Sequence, residues 1–283
     1  MDTTVNKIIF SRKGFDSRYG GDASPILPDG TLLSLPIPVS SKEENGTAYG
    51  KIQYRDTHLQ AIMKELGIWG KLRRYQHSAH FDPDLRKGAV PRDASWQPAF
   101  GQCGAAEAHL QKAGVTVGDI FLFFGTFKRT RGEIGRNLQF EKDYPRHIIF
   151  GYLRIEDIYR HDQLEQVPVA LQTHPHFVNR HQDKYGTNNT LYVGTGGTFK
   201  YNDKLVLTRS GFSKSRWQLP GFFHPEFGTV ISRHEKAERF RWLKDKDSIH
   251  LDTIGIGQDF VVSGWGERVV NWAEELIMSC KNS

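Results

Sequence analysis

The chain has 283 residues, 38% hydrophobic and 25% charged, a balance typical of a globular protein rather than a disordered one. Its 38 lysines and arginines against 32 acidic residues give a net charge of +6, which suits a phosphate-bearing partner but is also common without one. Two distant cysteines exclude a disulfide framework, no apolar run approaches the roughly 20 residues that span a bilayer, and no signal peptide is visible, so we expect a cytoplasmic protein.

The first part of the chain predicts short strands, one helix and a long loop. Residues 5–10 predict a buried strand, and residues 31–35 predict a second short strand between turn-forming prolines. The apolar spacing in residues 56–66 predicts a helix with one buried face. Residues 67–100 lack such periodicity, and we expect a long ordered loop, a kind of segment that is often functional.

The middle of the chain predicts the centre of the fold. Residues 105–113 predict a helix that ends at a glycine, and residues 119–124 predict the strongest strand, which is apolar on both faces and therefore central. Residues 147–155 predict the next strand. The intervening residues 126–146 are rich in arginine, lysine and glycine, and we expect a mobile surface hairpin or excursion there.

The last third predicts short strands at residues 191–193, 204–207 and 260–262, and an amphipathic helix at residues 267–278. Strands do not alternate regularly with helices, so a doubly wound parallel sheet is not expected. The sequence predicts a single α+β domain over residues 1–283, built on a mixed or partly closed β-sheet or barrel core with peripheral helices.

The first candidate functional segment directly follows the first strand. Arg12 and Lys13 can bind a phosphate or a carboxylate, and Asp16 can orient one of them or act as a base. Gly14 lets backbone N–H groups approach an anion. We interpret Lys13 and Asp16 as catalytic and Arg12 and Ser17 as substrate-binding, with a surface turn as the alternative.

The second candidate segment is the run of residues 77–84. Histidine beside carboxylates can run acid–base chemistry or hold a metal, so we interpret His80 as catalytic and Asp82 as substrate-binding. The spacing fits no closed zinc site, magnesium bridged to a phosphate is conceivable, and an Asx turn is the alternative. We assign no metal ligand and leave the cofactor unassigned.

Three further segments carry candidate substrate-binding residues. Gln102 lies in a glycine-flanked turn that opens a helix, beside Cys103, which we interpret as an inert thiol. Arg209, together with the pair Arg216 and Trp217, follows a histidine cluster within residues 174–181; an arginine beside an indole suits a nucleotide. Gln258 opens a strand, where it could read a base edge or cap the preceding turn.

Together these segments resemble a known family, the third of the nucleotide-modification-associated domain families. The matching stretches are residues 7–38, 80–84, 96–110, 118–125 and 257–262, which agree in order and spacing. The resemblance implies a setting in phage and bacterial gene neighbourhoods that modify DNA bases. It implies no particular reaction.

Residues 118–124 and 148–155 also resemble the paired strands of PUA-like barrels, which often bind a nucleobase in a pocket. Any antiparallel strand pair after a Gly-Asp turn is the alternative. This second resemblance concerns the fold alone.

These observations predict an enzyme that acts on a nucleotide or on a base within DNA or RNA. The alternative is a non-catalytic reader of a modified base, with an aromatic pocket and a basic rim, and a purely structural partner protein is third. The expected partner is a nucleotide or nucleic acid, DNA rather than RNA, with no membrane partner and the oligomeric state left open.

Two spatial expectations follow. Arg12, Lys13 and Asp16 should line one cavity with at least one of three residues, namely His80, Gln102 or Arg216. If the basic residues 128–136 contact a phosphate backbone, binding should weaken steeply as salt rises, whereas tight binding that ignores salt would favour a small nucleotide or an uncharged ligand.

Overall fold

The computed structural model describes residues 6–39, 44–75, 77–244, 247–255, 258–264 and 266–280. Val5 and Gly257, which belong to two of the predicted segments, lie outside the described residues. The strands are β1 (Ile8–Arg12), β2 (Ser24–Ile26), β3 (Thr47–Ala48), β4 (Gln53–Tyr54), β5 (Thr57–His58), β6 (Ser78–Ala79), β7 (Ala99–Cys103), β8 (Ile120–Arg131), β9 (Gln139–Phe140), β10 (Arg146–Tyr159), β11 (Asn189–Thr198), β12 (Arg216–Pro220), β13 (Val230–Ile231), β14 (Phe240–Trp242), β15 (Ser248–Asp252) and β16 (Asp259–Ser263).

The α-helices are α1 (Leu59–Glu65), α2 (Gly104–Lys112), α3 (Pro175–Val178) and α4 (Gly266–Cys280). Short 3-10 helices are Tyr49–Lys51, Trp69–Arg74, Lys87–Ala89, His161–Gln166, Val169–Leu171, Asp203–Leu205, Gly221–Phe223, Pro225–Phe227 and Ala237–Arg239.

One large mixed sheet organises the fold. Its strand order is β13-β16-β1-β8-β10-β11-β7, and β2 and β9 also pair with β8. Strands β1 and β2 run parallel to β8, whereas β10 runs antiparallel to it and β11 antiparallel to β10. Among the described residues the end strands β13 and β7 do not pair with each other, so the sheet is open. The predicted α+β class with a mixed or partly closed sheet is confirmed.

Strand β8 is central because it is apolar on both faces. Residues 120–127 are all buried, and β1 and β10 pair with its two edges. A strand that is covered on both faces reads as a continuous hydrophobic run, which explains why its position could be predicted. The antiparallel pairing of β8 with β10 also agrees with the predicted strand pair, while the PUA-like likeness stays a prediction.

The helices pack on the periphery of the sheets. Helix α4 buries Val269, Ala273 and Leu276, as its amphipathic pattern predicts. Helix α1 begins after His58, whose Nδ1 accepts a hydrogen bond from the N–H of Ala61, and it packs in a second hydrophobic cluster. In the described part of the chain, no helix combines the length and the apolar character needed to cross a membrane.

Three predicted local structures differ from the observed ones. Residues 31–35 form only single bridges, because they fold back on β2, where Pro25 has no N–H to extend a ladder. Residues 204–207 begin as the 3-10 turn that the side chain of Asn202 caps. Residues 126–131 continue β8 rather than leaving the sheet, so only the later part of the predicted excursion is irregular.

Strand β1 also fixes where the candidate site lies. Phe10 packs in the hydrophobic cluster of the large sheet, and Phe15 packs in the second cluster, around α1. The polar residues 11–14 therefore lie at the border between two cores. A rigid border of this kind can present charged side chains to a cavity in fixed positions.

Candidate active site

A cavity of about 250 Å³ opens at this border, beside the end of β1. The segments that line it come from the first 37 residues, the loop before β7, the end of β7, the start of α2, residues 176–185 and the residue before β16. The lining residues are Arg12, Lys13, Gly14, Asp16, Tyr19, Ile37, His80, Asp82, Gly101, Gln102, Cys103, Ala106, His176, Lys184, Tyr185 and Gln258.

Two cations are held at the cavity by the strand that precedes them. The backbone N–H of Arg12 donates to the carbonyl of Gln258, and that of Lys13 donates to the carbonyl of Phe124, both at 2.8 Å. The Lys13 ammonium lies 4.3 Å from the centre of the Phe100 ring, a cation–π contact. The backbone of these two residues is thus continuous with the sheet.

A tight turn follows and places Asp16 at the cavity. Gly14 has a φ of +79°, and a Cβ there would lie 2.7 Å from the Ser34 hydroxyl, so a glycine is required. The Oδ1 atom of Asp16 accepts hydrogen bonds from the N–H groups of Arg18 and Tyr19, both at 2.8 Å. These bonds fix the direction of the carboxylate.

Asp82 is the buried centre of a histidine cluster. Its Oδ1 accepts a hydrogen bond from the N–H of Gly101 at 2.8 Å and lies 3.1 Å from Nε2 of His174. Its Oδ2 lies 3.9 Å from Nε2 of His80. Burial raises the pKa of Asp82, but the contacts with His174, His176 and His80 outweigh it and lower the pKa to about 2. Asp82 is therefore ionised at neutral pH.

His80 is oriented by a second buried carboxylate. Its Nδ1 lies 2.8 Å from Oε1 of Glu44, which also accepts a hydrogen bond from the Tyr185 hydroxyl at 3.0 Å. Lys184 lies 2.6 Å from the other oxygen of Glu44. Burial raises the pKa of Glu44, but His80 and Lys184 outweigh it and lower the pKa to about 2. The carboxylate thus holds the Nδ1 proton and directs Nε2 of His80 towards Asp82.

His176 is oriented by an amide in the same manner. Its Nδ1 lies 2.7 Å from Oδ1 of Asn189, whose amide nitrogen donates to the carbonyl of His176 at 2.9 Å. A Cβ at Gly101 would lie 2.2 Å from the His176 ring, so only glycine allows this approach. Burial lowers the pKa of His176 to about 3, which leaves the ring neutral at neutral pH.

The side-chain amide of Gln102 forms another part of the cavity wall. Nε2 of Gln102 donates to Asp259 at 2.8 Å, and Oε1 of Gln102 accepts from the N–H of Cys103 at 3.1 Å. The hydroxyl of Ser11 donates to the same aspartate at 2.5 Å. Burial raises the pKa of the Cys103 thiol, which agrees with the interpretation of an inert thiol.

The comparison with protein families decides which family the chain represents. The model of a family described as nucleotide modification associated domain 3 matches residues 7–263. The chain belongs to this family. No curated protein and no solved structure matches it. The matched region contains every residue that lines the cavity, and the resemblance that the sequence predicts is confirmed.

Seven of the residues that sequence reasoning selected line the cavity of this family member. They are Arg12, Lys13, Asp16, His80, Asp82, Gln102 and Gln258. Distant segments of the chain therefore meet as the first spatial expectation requires. The roles given to these residues stay predictions.

The other four selected residues lie elsewhere. Ser17 is exposed on the turn and does not line the cavity. Trp217 is only 1% exposed, and its indole N–H donates to Nδ1 of His147 at 3.0 Å, so it belongs to the core. Arg216 lies on β12, 3.4 Å from Asp252, and Arg209 stacks on a neighbouring phenylalanine.

Sequence reasoning gave no role to several residues of the site. Glu44, Lys184 and Tyr185 belong to no motif, and only the fold brings them to His80. His176 was part of a recognised histidine cluster, which could have signalled the site. Gly101 lay beside Gln102 in a glycine-flanked turn, but its contact with the His176 ring depends on tertiary packing.

A second concave surface, the basic groove, lies beside the cavity. It has a volume of about 900 Å³ and includes Arg129, Asp143, Tyr144, Arg146, Tyr201, Asp203, Arg209, Phe212 and Lys214. Four of these side chains are basic and two are acidic, and Tyr144 is 85% exposed. Lys214 connects the two surfaces: burial lowers its pKa, and it interacts electrostatically with Asp16 and Arg12.

Proposed function

We propose that this protein is an enzyme that acts on a nucleotide, or on a base within DNA or RNA, and that the cavity is its active site. The observation that carries the proposal is the convergence of two cations with a buried histidine–carboxylate cluster in one cavity. An enzyme needs such convergent titratable groups, whereas a reader needs mainly aromatic walls. We also propose that residues 1–283 act as one domain, in the cytoplasm.

The two cations would bind the phosphate. Arg12 presents a planar guanidinium that can form paired hydrogen bonds with phosphate oxygens, and Lys13 adds a point charge. Their backbones are bonded into the sheet, so a bound phosphate would have a fixed position relative to Asp82. A fixed phosphate would place the attached sugar and base within reach of the other cavity residues.

Asp16 and His80 would carry the proton transfers. Asp16 is held by two backbone N–H groups, and Nε2 of His80 faces the cavity because Glu44 holds Nδ1. A carboxylate and an oriented imidazole are the usual residues for general base and acid roles. Gln102 and Gln258 would contact the base or sugar.

The basic groove supports a polynucleotide substrate, and we propose DNA over RNA, as the family resemblance implies. Arg129 stacks on Tyr201 and Arg209 stacks on Phe212, at 5.2 and 4.4 Å from the ring centres. Arginines beside exposed rings can contact phosphates while the rings stack on bases. Since Lys214 of the groove interacts electrostatically with Asp16 of the cavity, a strand in the groove could deliver one nucleotide to the cavity.

The same groove supports the second candidate, a non-catalytic reader of a modified base. Exposed Tyr144 and Phe212 could hold a base without any chemistry in the cavity. A reader would bind modified DNA and release it unchanged. The two candidates therefore differ in turnover and not in affinity.

The test uses the full chain with nucleotides, DNA and RNA in turn. Calorimetry measures the binding affinity for each, and mass spectrometry of nucleosides measures whether the chain converts it. We expect conversion by the wild-type protein and, for Lys13→Gln, affinity for the converted substrate reduced by about 10- to 100-fold, the scale of a missing charged hydrogen bond. Lys112→Gln removes the same charge from an exposed helix position and should match wild type. Binding of modified DNA without conversion would favour the reader, and an unaffected Lys13→Gln would remove the cavity from either function.

A further inference from the structure

We propose that His80, Asp82 and His176 hold one divalent transition-metal ion in the wall of the cavity. Each of these residues offers one ligand atom, and the three atoms lie within 4.8 Å of one another. The inference rests on the proposed function for its substrate, and it reassigns His80 from proton transfer to metal binding.

The first argument is the orientation of the two histidines. In each ring Nδ1 is bonded to an oxygen acceptor, the carboxylate of Glu44 for His80 and the amide oxygen of Asn189 for His176. An oxygen acceptor at Nδ1 places the proton there and leaves the lone pair on Nε2. Metal-binding histidines almost always carry such an outer hydrogen bond, which fixes the tautomer and the ring direction.

The second argument is the position of the carboxylate. Oδ1 of Asp82 is bonded to the N–H of Gly101, and Oδ2 faces Nε2 of His80 at 3.9 Å. Two ligand atoms that each lie about 2.1 Å from one ion are about 3.4 Å apart in a tetrahedral site. His80 and Asp82 must therefore approach each other by about half an ångström, and no pair of ligand atoms by more than about 1.4 Å. The missing Cβ of Gly101 lets the His176 ring pack against the residue whose N–H binds this carboxylate.

The third argument is the cost of this cluster without an ion. Asp82 and His176 are buried, and buried polar groups are expensive unless they are paired or coordinate a metal. Here the two residues that accept from the ring nitrogens, Glu44 and Asn189, are buried as well, so the cluster concentrates four buried polar side chains. Such a concentration of buried polar groups suits a preorganised ligand set.

The donor set selects the class of metal. Two imidazoles and one carboxylate favour Zn²⁺, Fe²⁺, Mn²⁺ or Co²⁺ over Mg²⁺ and Ca²⁺, which prefer oxygen ligands. Three protein ligands leave coordination positions open, and the cavity lies on that side. The ion would activate a bound water or polarise an oxygen of the nucleotide that Arg12 and Lys13 position.

The test uses Co²⁺ alone, titrated into the metal-stripped full chain and followed by calorimetry and by visible absorption. We expect one ion per chain and a ligand-field spectrum, with affinity at least about 100-fold lower in His80→Ala and in Asp82→Asn. His161→Ala removes an exposed imidazole outside the cavity and should bind Co²⁺ like wild type. Circular dichroism identifies any variant that does not fold. If either His80→Ala or Asp82→Asn does not fold, the Co²⁺ affinity of the other variant tests the proposal.

Glu44→Gln tests the outer shell, because it retains an acceptor for Nδ1 and removes the charge. We expect a 10- to 100-fold weaker Co²⁺ affinity and a shifted absorption spectrum, about the usual effect of an outer-shell change. No stoichiometric binding by the wild type, or unchanged binding by both His80→Ala and Asp82→Asn, would overturn the proposal. Lys13→Gln should lose nucleotide affinity and retain Co²⁺, so failure of the metal site and failure of the nucleotide site are distinguishable.

Discussion

The cavity and the basic groove lie side by side but are built in opposite ways. In the cavity, Asp82 and His176 are buried, and each has a fixed hydrogen-bond partner. In the groove, Arg129 and Tyr144 are exposed, and the arginines stack on neighbouring rings. The cavity therefore has preorganised groups in a small volume, whereas the basic groove has exposed, adaptable groups along a wide surface.

This difference separates two kinds of interaction. Burying a polar group is costly unless its partners are in place, so a buried cluster retains one arrangement and can stabilise a single reacting geometry. Exposed cations interact through water, and salt screens them. We therefore expect changes in the cavity to affect turnover or metal binding, and changes in the groove to affect salt-dependent affinity.

The largest effect should come from Asp16→Asn. Asparagine retains an oxygen that can accept the N–H groups of Arg18 and Tyr19, so the turn should persist while the charge is removed. We expect turnover to fall by about 10² or more, the scale of a missing general base, with little change in ligand affinity. Mass spectrometry of nucleosides measures the first quantity and calorimetry the second.

A wild-type rate in Asp16→Asn would mean that this residue only shapes the turn. A large loss of affinity at an unchanged rate would instead assign Asp16 to ground-state binding. Either result would weaken the distinction between a cavity that catalyses the reaction and a groove that only binds the ligand.

Gly101→Ala should have the next largest effect. A Cβ at this position would lie 2.2 Å from the His176 ring, so the ring or strand β7 must move. Overpacking of this kind costs about 1–3 kcal/mol of the free energy of unfolding. Gly197→Ala is the matched control, because it also lies in a strand and a Cβ there meets no atom within 4 Å. Chemical denaturation of both variants measures the difference, and equal stabilities would contradict the packing argument.

The parts of this molecule that the sequence predicts are those whose structure is determined by the pattern of residues close together in the chain. Strand β8 is apolar on both faces, and α4 repeats its apolar residues at helical spacing, so both were found from pattern alone. The selected residues Arg12, Lys13 and Asp16 lie at and just beyond the end of strand β1, where side chains are commonly presented to ligands.

The parts that sequence could not predict depend on tertiary contacts. Glu44 meets His80, and Asn189 meets His176, across 36 and 13 residues of chain with no motif between them. Trp217 beside an arginine suggested a stacking platform, yet its ring packs in the core against Phe10 of β1 and Phe124 of β8. Local pattern does not distinguish an indole that binds a ligand from one that packs in a core.

Substitutions in the basic groove should have a weaker effect, and that effect on DNA affinity should depend on the salt concentration. We expect Arg129→Gln combined with Arg209→Gln to lower DNA affinity about tenfold at low salt and to reduce the slope of log K against log salt by about 0.9 for each phosphate that the protein no longer neutralises. Lys87→Gln combined with Lys112→Gln removes the same charge from exposed positions outside the groove and serves as the control. Equal slopes for both pairs would exclude the groove as a phosphate-binding surface.

The smallest effect concerns His147, which lines neither of the two surfaces. It is buried, its Nδ1 accepts the indole N–H of Trp217, and it interacts electrostatically with Lys214 and Arg12. Burial, and then these two cations, lower the pKa of His147 to about 3 from an ordinary value of about 6.5. As the pH falls, His147 therefore takes up a proton at a higher pH in the unfolded chain than in the folded chain.

The contribution of His147 to stability is complete above about pH 6.5 and diminishes as the pH falls towards 3, with a slope of up to about 1.4 kcal/mol per pH unit. His147→Gln can still accept the indole N–H and has no proton to gain. Between pH 7 and pH 5, the free energy of unfolding should therefore decline less steeply for His147→Gln than for wild type. The difference in slope corresponds to the uptake of at most one proton on unfolding. His161→Ala removes an exposed imidazole and should retain most of the wild-type slope. If His147→Gln followed the wild-type curve, folding would not change the pKa of His147, and the argument from its burial would be wrong.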